Sequence, residues 1–186
     1  YPLEGLKGIN LVLAVLTLFS LYFFRDPQRM IPVHKGFLSP ADGKVVQIMD
    51  MEDKDLGSAK QISIFLSLLN VHSQRVPISG KVISKQYNPG NFLIAFNHKA
   101  SVDNEHTAVL FETENGKRYK IKQIAGFIAR RILNYMEEGD MVQRGQRLGF
   151  IRFGSRVDII LPRDFQIDVS LGDMVQGNKT IIGQFK

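Results

Sequence analysis

An apolar run, Leu148-Gly149-Phe150-Ile151, is followed by Arg152-Phe153-Gly154-Ser155-Arg156 and then by a second run, Val157-Asp158-Ile159-Ile160-Leu161-Pro162. Two strand-length segments this close leave room only for a tight, glycine-containing break, so the pattern is strand, break, strand, with a hydroxyl held at the break. A serine so placed has one near acyl target, the peptide carbonyl of Gly154. That points to a chain that cuts itself between Gly154 and Ser155. Glycine suits the bond because it accepts the strained backbone that brings a hydroxyl onto the preceding carbonyl.

The rest of the chain reads as further short strands. Gly43 to Met49 and Gln61 to Leu66 are strand-length, separated by a charged loop, Asp50 to Ala59. Lys81 to Tyr87, His106 to Glu112 and Arg118 to Ala125 follow, the last two joined through Asn115-Gly116, a strong hairpin turn signal. Asn88 to Asn104 is polar and marked by Pro and Gly, hence a long loop of the kind that usually carries function. Ile124 to Tyr135 fits a strand running into a short helical turn, which periodicity does not decide. Gly139-Asp140-Met141-Val142-Gln143 recurs as Gly172-Asp173-Met174-Val175-Gln176, each copy followed by a glycine and a short apolar segment. The pattern resembles the hammerhead hairpins of biotinyl and lipoyl domains. The expected fold is mainly β (α+β), with glycine-rich hairpins and an N-terminal membrane helix.

That helix rests on Ile9 to Phe24, almost wholly apolar and closed by Arg25-Asp26-Pro27. Sixteen helical residues rise about 24 Å, and adding Leu3 to Gly8 lengthens the span toward the hydrocarbon thickness. No small-residue cleavage site follows, which argues against a signal peptide, and no polar face argues against a core helix. Residues 1–24 are therefore expected to anchor the chain and 25–186 to form the remaining domain, on the cytoplasmic side of a cell membrane. The net charge of +6 suits an anionic lipid surface. Nucleic acid is not the expected partner, because the cations are scattered and no recognition motif accompanies them. Without cysteine, disulfides, thiolate metal sites and cysteine nucleophiles are excluded.

Three other segments could carry chemistry: Ser39-Pro40-Ala41-Asp42-Gly43, Asn70-Val71-His72 and the loop from Asn88-Pro89-Gly90 to Asn104-Glu105. Singly, each has a plainer reading as a turn, a structural histidine or a solvated loop. Taken in order with Phe23-Phe24-Arg25-Asp26-Pro27, Gln123-Ile124-Ala125-Gly126 and Ile151 to Asp158, they resemble the phosphatidylserine decarboxylase proenzymes in their short form, across most of the chain.

The resemblance implies cleavage into a 1–154 beta chain and a 155–186 alpha chain. The Ser155 hydroxyl attacks the Gly154 carbonyl to give an ester. Elimination leaves dehydroalanine, and hydrolysis of that releases ammonia and leaves a covalent pyruvoyl group as the cofactor, with no metal. The pyruvoyl ketone would form a Schiff base with the amine of phosphatidylserine, releasing water, and the amide carbonyl conjugated to that imine would take up the electron pair as carbon dioxide leaves. In the longer form an Asp-His-Ser relay activates the serine. Asp42 matches its Asp, and His72 matches the first of two histidines spaced three apart. Arg75 stands where the second would be, so the activating base stays open. Arg156 is expected to orient the substrate phosphate or carboxylate, or to form a surface salt bridge. Relatives suggest a homodimer. Two alternatives remain: an archaetidylserine decarboxylase of the same mechanism, and a lipoyl-like membrane adaptor without activity. A serine hydrolase is disfavoured, since Phe153 to Val157 is not a nucleophile elbow.

Overall fold

The structure, a computed structural model, describes residues 2–91, 104–126, 131–152 and 155–186, with side chains from residue 7 onward. One helix, α1 (Pro2–Phe23), precedes fourteen strands among the described residues. In chain order these are β1 (Phe37–Leu38), β2 (Gly43–Asp53), β3 (Gly57–Leu66), β4 (Ser73–Arg75), β5 (Gly80–Asn88), β6 (His106–Thr113) and β7 (Arg118–Ile124). They continue as β8 (Ile132–Asn134), β9 (Met141–Val142), β10 (Arg147–Ile151), β11 (Ser155–Pro162), β12 (Gln166–Ile167), β13 (Met174–Val175) and β14 (Ile181–Gln184). The chain is mainly β, as its alternation and turn residues require.

An eight-stranded sheet in the order β13-β2-β3-β11-β7-β6-β5-β9 forms the body. All its pairings are antiparallel. The strand that opens at Ser155 lies between β3 and β7, and every residue from Ser155 to Leu161 is buried. Val157, Ile159 and Leu161 point to one face and join Val45, Ile62, Ile64, Phe111 and Ile121 in the core. The intervening Arg156 and Asp158 lie on the opposite face. The Asn115-Gly116 turn joins β6 to β7, with Gly116 at φ 73°.

The charged segment Asp50 to Ala59 is not a loop. β2 and β3 stay paired from Lys44 opposite Phe65 to Asp53 opposite Gly57, and only residues 54–56 turn. Buried Lys120 explains this: its ammonium lies 2.6 Å from an Asp53 oxygen and 2.8 Å from Asp55 Oδ2, holding the acidic tip of the hairpin against β7. Of Ile124 to Tyr135, residues 132–134 are strand and 127–130 lie outside the described residues.

The repeated pentapeptide marks two equivalent sheet edges. Val175 pairs with Gly43 at one end and Val142 with Gly80 at the other. The amides of Val45 and Val82 donate to the carbonyls of Asp173 and Asp140, while those of Gly172 and Gly139 donate back to Val45 and Val82. Both flanking strands also shift register at the same place, between Val45 and Gln47 and between Val82 and Ser84. Gly139 and Gly172 sit at φ 95° and 97°, a left-handed conformation that glycine adopts without penalty.

The apolar N-terminal run is helical, and α1 rises about 33 Å at the usual 1.5 Å per residue. Among the described residues, no helix is long and apolar enough to cross a membrane. Ile9, Leu11, Leu18 and Leu21 are all exposed, whereas Phe23 is buried against the sheet domain. Thr17 and Ser20 return their hydroxyls to the carbonyls of Leu13 and Leu16, so neither needs water. The helix ends where Arg25 donates to the carbonyls of Tyr22 (2.7 Å) and Leu69 (2.6 Å), with its guanidinium 3.8 Å over the Tyr22 ring.

Candidate active site

β3 ends at Leu66, and the chain turns through Ser67 to Asn70, where the Asn70 carboxamide accepts from the Ser67 amide and hydroxyl. The turn delivers His72 and then β4. Leu66 is the strand partner of Ser155, and the His72 carbonyl accepts from the amide of Ile151, the last residue of β10. The segment carrying His72 is thus tied to both sides of the break. Gly154 and Phe153, and the loop interior 92–103, lie outside the described residues. The ends of that loop are joined by a bridge between Asn91 and Asn104, and Asn104 donates to the Ala125 carbonyl at 2.8 Å.

Ser155 is fully buried, and its hydroxyl makes no hydrogen bond among the described residues. A buried hydroxyl without a partner is uncommon because its desolvation goes uncompensated. It is free to turn onto a neighbouring carbonyl.

His72 is also fully buried, its ring 4.3 Å from that of Phe23 and 6.2 Å from that of Phe150. Its Nδ1 is 2.9 Å from the Asn70 carbonyl oxygen. A carbonyl can only accept, so Nδ1 carries the proton and Nε2 keeps the lone pair. Burial pushes the pKa down to about 4; the Asn70 carbonyl and the charge of Asp42 oppose this, while Arg25 adds to it. The ring is a neutral base throughout the physiological range.

Asp42 stands elsewhere in the hydrogen-bond scheme. Its two oxygens accept from Arg29 at 2.5 and 2.7 Å, and Oδ1 also accepts from the amide of Gly177 at 2.8 Å. It reaches His72 through space as a charge, and Nδ1 goes to Asn70 instead. Arg75, at the position of a second histidine, pairs with Asp26, which also takes Arg147. Burial pushes the Asp26 carboxyl up, but hydrogen bonds and charge from Arg147 and Arg75 outweigh it and hold the group below its ordinary value.

Arg156 forms no surface salt bridge. It is fully buried: its Nε is 2.7 Å from Asp158 Oδ1, and one terminal nitrogen is 2.5 Å from both Gln47 Oε1 and Ser63 Oγ. Alternation turns this cation away from the face that carries Ser155.

Other residues proved to support the site. Gln74 donates to the His72 carbonyl at 2.7 Å and accepts from Gln123 at 2.8 Å, and Gln123 accepts from Asn134 at 2.7 Å. Gln74 and Gln123 are fully buried. This amide chain fixes the backbone of His72 to β7 and β8. Its only trace in the sequence is a set of amides at strand positions where apolar residues would be expected.

Comparison with known proteins identifies the family. The family model described as phosphatidylserine decarboxylase matches residues 16–183. The chain is 45% identical to the phosphatidylserine decarboxylase proenzyme of Pelobacter propionicus over 181 residues, 96% of this chain and 82% of that protein. It is 46% identical to the proenzyme of Syntrophotalea carbinolica, covering 100% of this chain and 88% of that one. Against the proenzyme of Geotalea uraniireducens it is 42% identical, covering 98% and 93%. With a match that runs through every segment just described, the chain belongs to the phosphatidylserine decarboxylase family.

Proposed function

We propose that this chain is a self-processing lyase that converts phosphatidylserine to phosphatidylethanolamine, with Ser155 as the source of a covalent pyruvoyl group. The observation that carries the reading is the buried, unpartnered Ser155 hydroxyl at the start of β11, beside the segment that holds His72. Cleavage between Gly154 and Ser155 would leave the β11 register intact, because the strand begins at the cut.

His72 acts as the base in this scheme. Nε2 takes the proton of the Ser155 hydroxyl as that oxygen bonds to the Gly154 carbonyl carbon. The imidazolium so formed is a strong acid in its buried setting, and it gives the proton to the departing amide nitrogen. Asn70 holds the tautomer, and the Gln74-Gln123 amides hold the backbone. Asp42 acts as a positioning residue that clamps Arg29 and the Gly177 amide, while its charge favours the imidazolium.

Ser155 suits a pyruvoyl group: elimination from a serine gives dehydroalanine, where threonine would give the methylated homologue, and this serine is screened from water. In place, the group supplies a ketone for the substrate amine and an electron sink for the bond to the departing carboxylate. The surrounding apolar rings of Phe23 and Phe150 exclude water near His72.

The same reading makes residues 1–24 a lipid anchor and 25–186 the catalytic domain, at the cytoplasmic face of a cell membrane. In its support, α1 exposes its apolar side chains from Ile9 to Tyr22 and, among the described side chains, buries that of Phe23. The two equivalent sheet edges are read as hammerhead-like units. Intact mass and a denaturing gel test the proposal. The expected products are a 1–154 fragment and a 155–186 fragment whose blocked amino end resists Edman degradation; recovery of only the uncut, unblocked chain from its native host would refute it.

A further inference from the structure

A cavity of about 190 Å³ opens between the end of α1 and the sheet domain, lined in part by Phe24, Asp26, Ser73, Arg147, Phe150 and Arg152. Two of these bring buried polar atoms that lack a partner: Ser73 Oγ and Arg152 Nε. Ser73 is only 4% exposed. The two groups are both hydrogen-bond donors, and the guanidinium can do nothing else. In this cavity neither atom has an acceptor among the described residues. Its charges agree, since Asp26 is already shared between Arg147 and Arg75, while Arg152 has no acidic partner among the described residues. The wall is therefore positive, and an anion with several oxygens would complete it.

Position narrows the anion. Phe24 follows the last residue of α1, and its ring stacks on Phe150 at 5.5 Å and 23°. The cavity thus sits where the apolar helix gives way to polar surface, the level at which a phospholipid carries its phosphate. It also adjoins the reacting residues. Ser73 follows His72 and pairs with Phe150 across the β4–β10 ladder. Arg152 precedes Ser155 by three residues, a span of at most about 11 Å. In phosphatidylserine one oxygen and two carbons separate the phosphorus from the amine nitrogen, so the phosphate must lie close to the reacting atom.

We infer that this cavity is the subsite for the phosphodiester of the substrate headgroup, with Arg152 and Ser73 Oγ on its anionic oxygens. The inference rests on the decarboxylase reading for the identity of the lipid, but its test does not depend on turnover. Purified wild-type protein in detergent micelles is treated with phenylglyoxal, and the peptide containing Arg152 is followed by mass spectrometry. Glycerophosphoserine should slow modification of Arg152 about tenfold while leaving the exposed Arg163 unaffected; serine should give no protection and inorganic phosphate at the same concentration less than twofold. Equal rates with and without glycerophosphoserine would overturn the assignment. Equal protection by inorganic phosphate would overturn it too, reducing the cavity to a general anion site.

Kinetics give a second readout. R152Q and S73A should each still be cut at Gly154-Ser155 and should raise KM for phosphatidylserine about tenfold with kcat within threefold, the signature of lost ground-state binding. An unchanged KM in properly cleaved R152Q would count against the subsite. Should a variant fail to process, protection in the wild type still decides. A wild type that protects Arg152 yet neither cleaves nor decarboxylates would sink the enzymatic reading and leave a headgroup-binding site.

Discussion

The hydroxyl of Ser155 and the imidazole of His72 are both fully buried, the first without a hydrogen bond among the described residues and the second with Nδ1 on the Asn70 carbonyl. Ser155→Ala should therefore leave an uncut, inactive chain with little loss of stability, since the hydroxyl contributes no hydrogen bond among the described residues; gel mobility and a urea melt check both. For His72 the depressed pKa sets the pH response. Its ordinary value is 6.5 and its folded value about 4, so between these limits the unfolded chain binds a proton that the folded chain does not. The stabilisation from keeping this ring neutral is complete above about pH 6.5 and is lost as pH falls toward 4, up to about 3 kcal/mol. Uncut S155A protein should lose that much more stability over this window than S155A/H72Q. The rate of self-cleavage should likewise show no inflection near pH 6.5, falling only nearer pH 4; an inflection at the ordinary histidine value would argue against His72 as the base.

At the scale of elements, β10 and β11 meet constraints from both faces. Gly149 lies between β4 and β8, and a Cβ there would collide with the Leu133 carbonyl and crowd the Gln123 amide nitrogen. Gly149→Ala should push β8 away, break the Gln123-Gln74 link to His72 and slow processing at least tenfold, measured as the half-time of cleavage after synthesis. On the far face of β11, Arg156→Leu would strand a fully buried Asp158 carboxylate. A loss of about 3–5 kcal/mol is expected in the uncut S155A background. Arg156→Leu with Asp158→Leu should cost less than the two single changes added together, because neither charge is then left alone. A strictly additive double-mutant cycle in urea would contradict the pairing.

For the whole molecule, an apolar helix joined to a basic domain makes binding to a lipid surface testable. α1 exposes Ile9, Leu11, Leu18 and Leu21, and the chain carries a net charge of +6. Binding to vesicles containing anionic lipid should thus have two parts: a salt-sensitive electrostatic part and an apolar part that salt does not remove. Flotation of residues 1–186 should persist at high salt, whereas a 25–186 fragment should float weakly and only at low salt. Salt-independent flotation of the fragment would place the lipid contact in the sheet domain. Removing α1 also uncovers His72 by taking away Phe23, so the fragment should process poorly even in detergent.

Period-two alternation, the Asn115-Gly116 turn and the glycine-serine break between apolar runs were sufficient to specify a strand-rich chain with Ser155 at a strand boundary, because each is a local property of the backbone. The repeated Gly-Asp-Met-Val string pointed to two similar hairpin units, and the structure places its copies at the two ends of one sheet. Alternation also assigns Arg156 and Asp158 to one face of β11, but it does not say whether that face is wet. Only the sheet, with Gln47 and Ser63 laid over them, makes the pair buried. The charged stretch after Met49 is strand for the same reason: Asp53 and Asp55 pair with Lys120, a residue remote in sequence that pairing of β7 with β11 brings near. Asp42 with Arg29 and Gly177, and His72 with Gln74 and Gln123, are also contacts that form only on folding. Local chemistry singles out Ser155 and the bond before it, while long-range packing chose the partners of Asp42, Asp53 and Arg156.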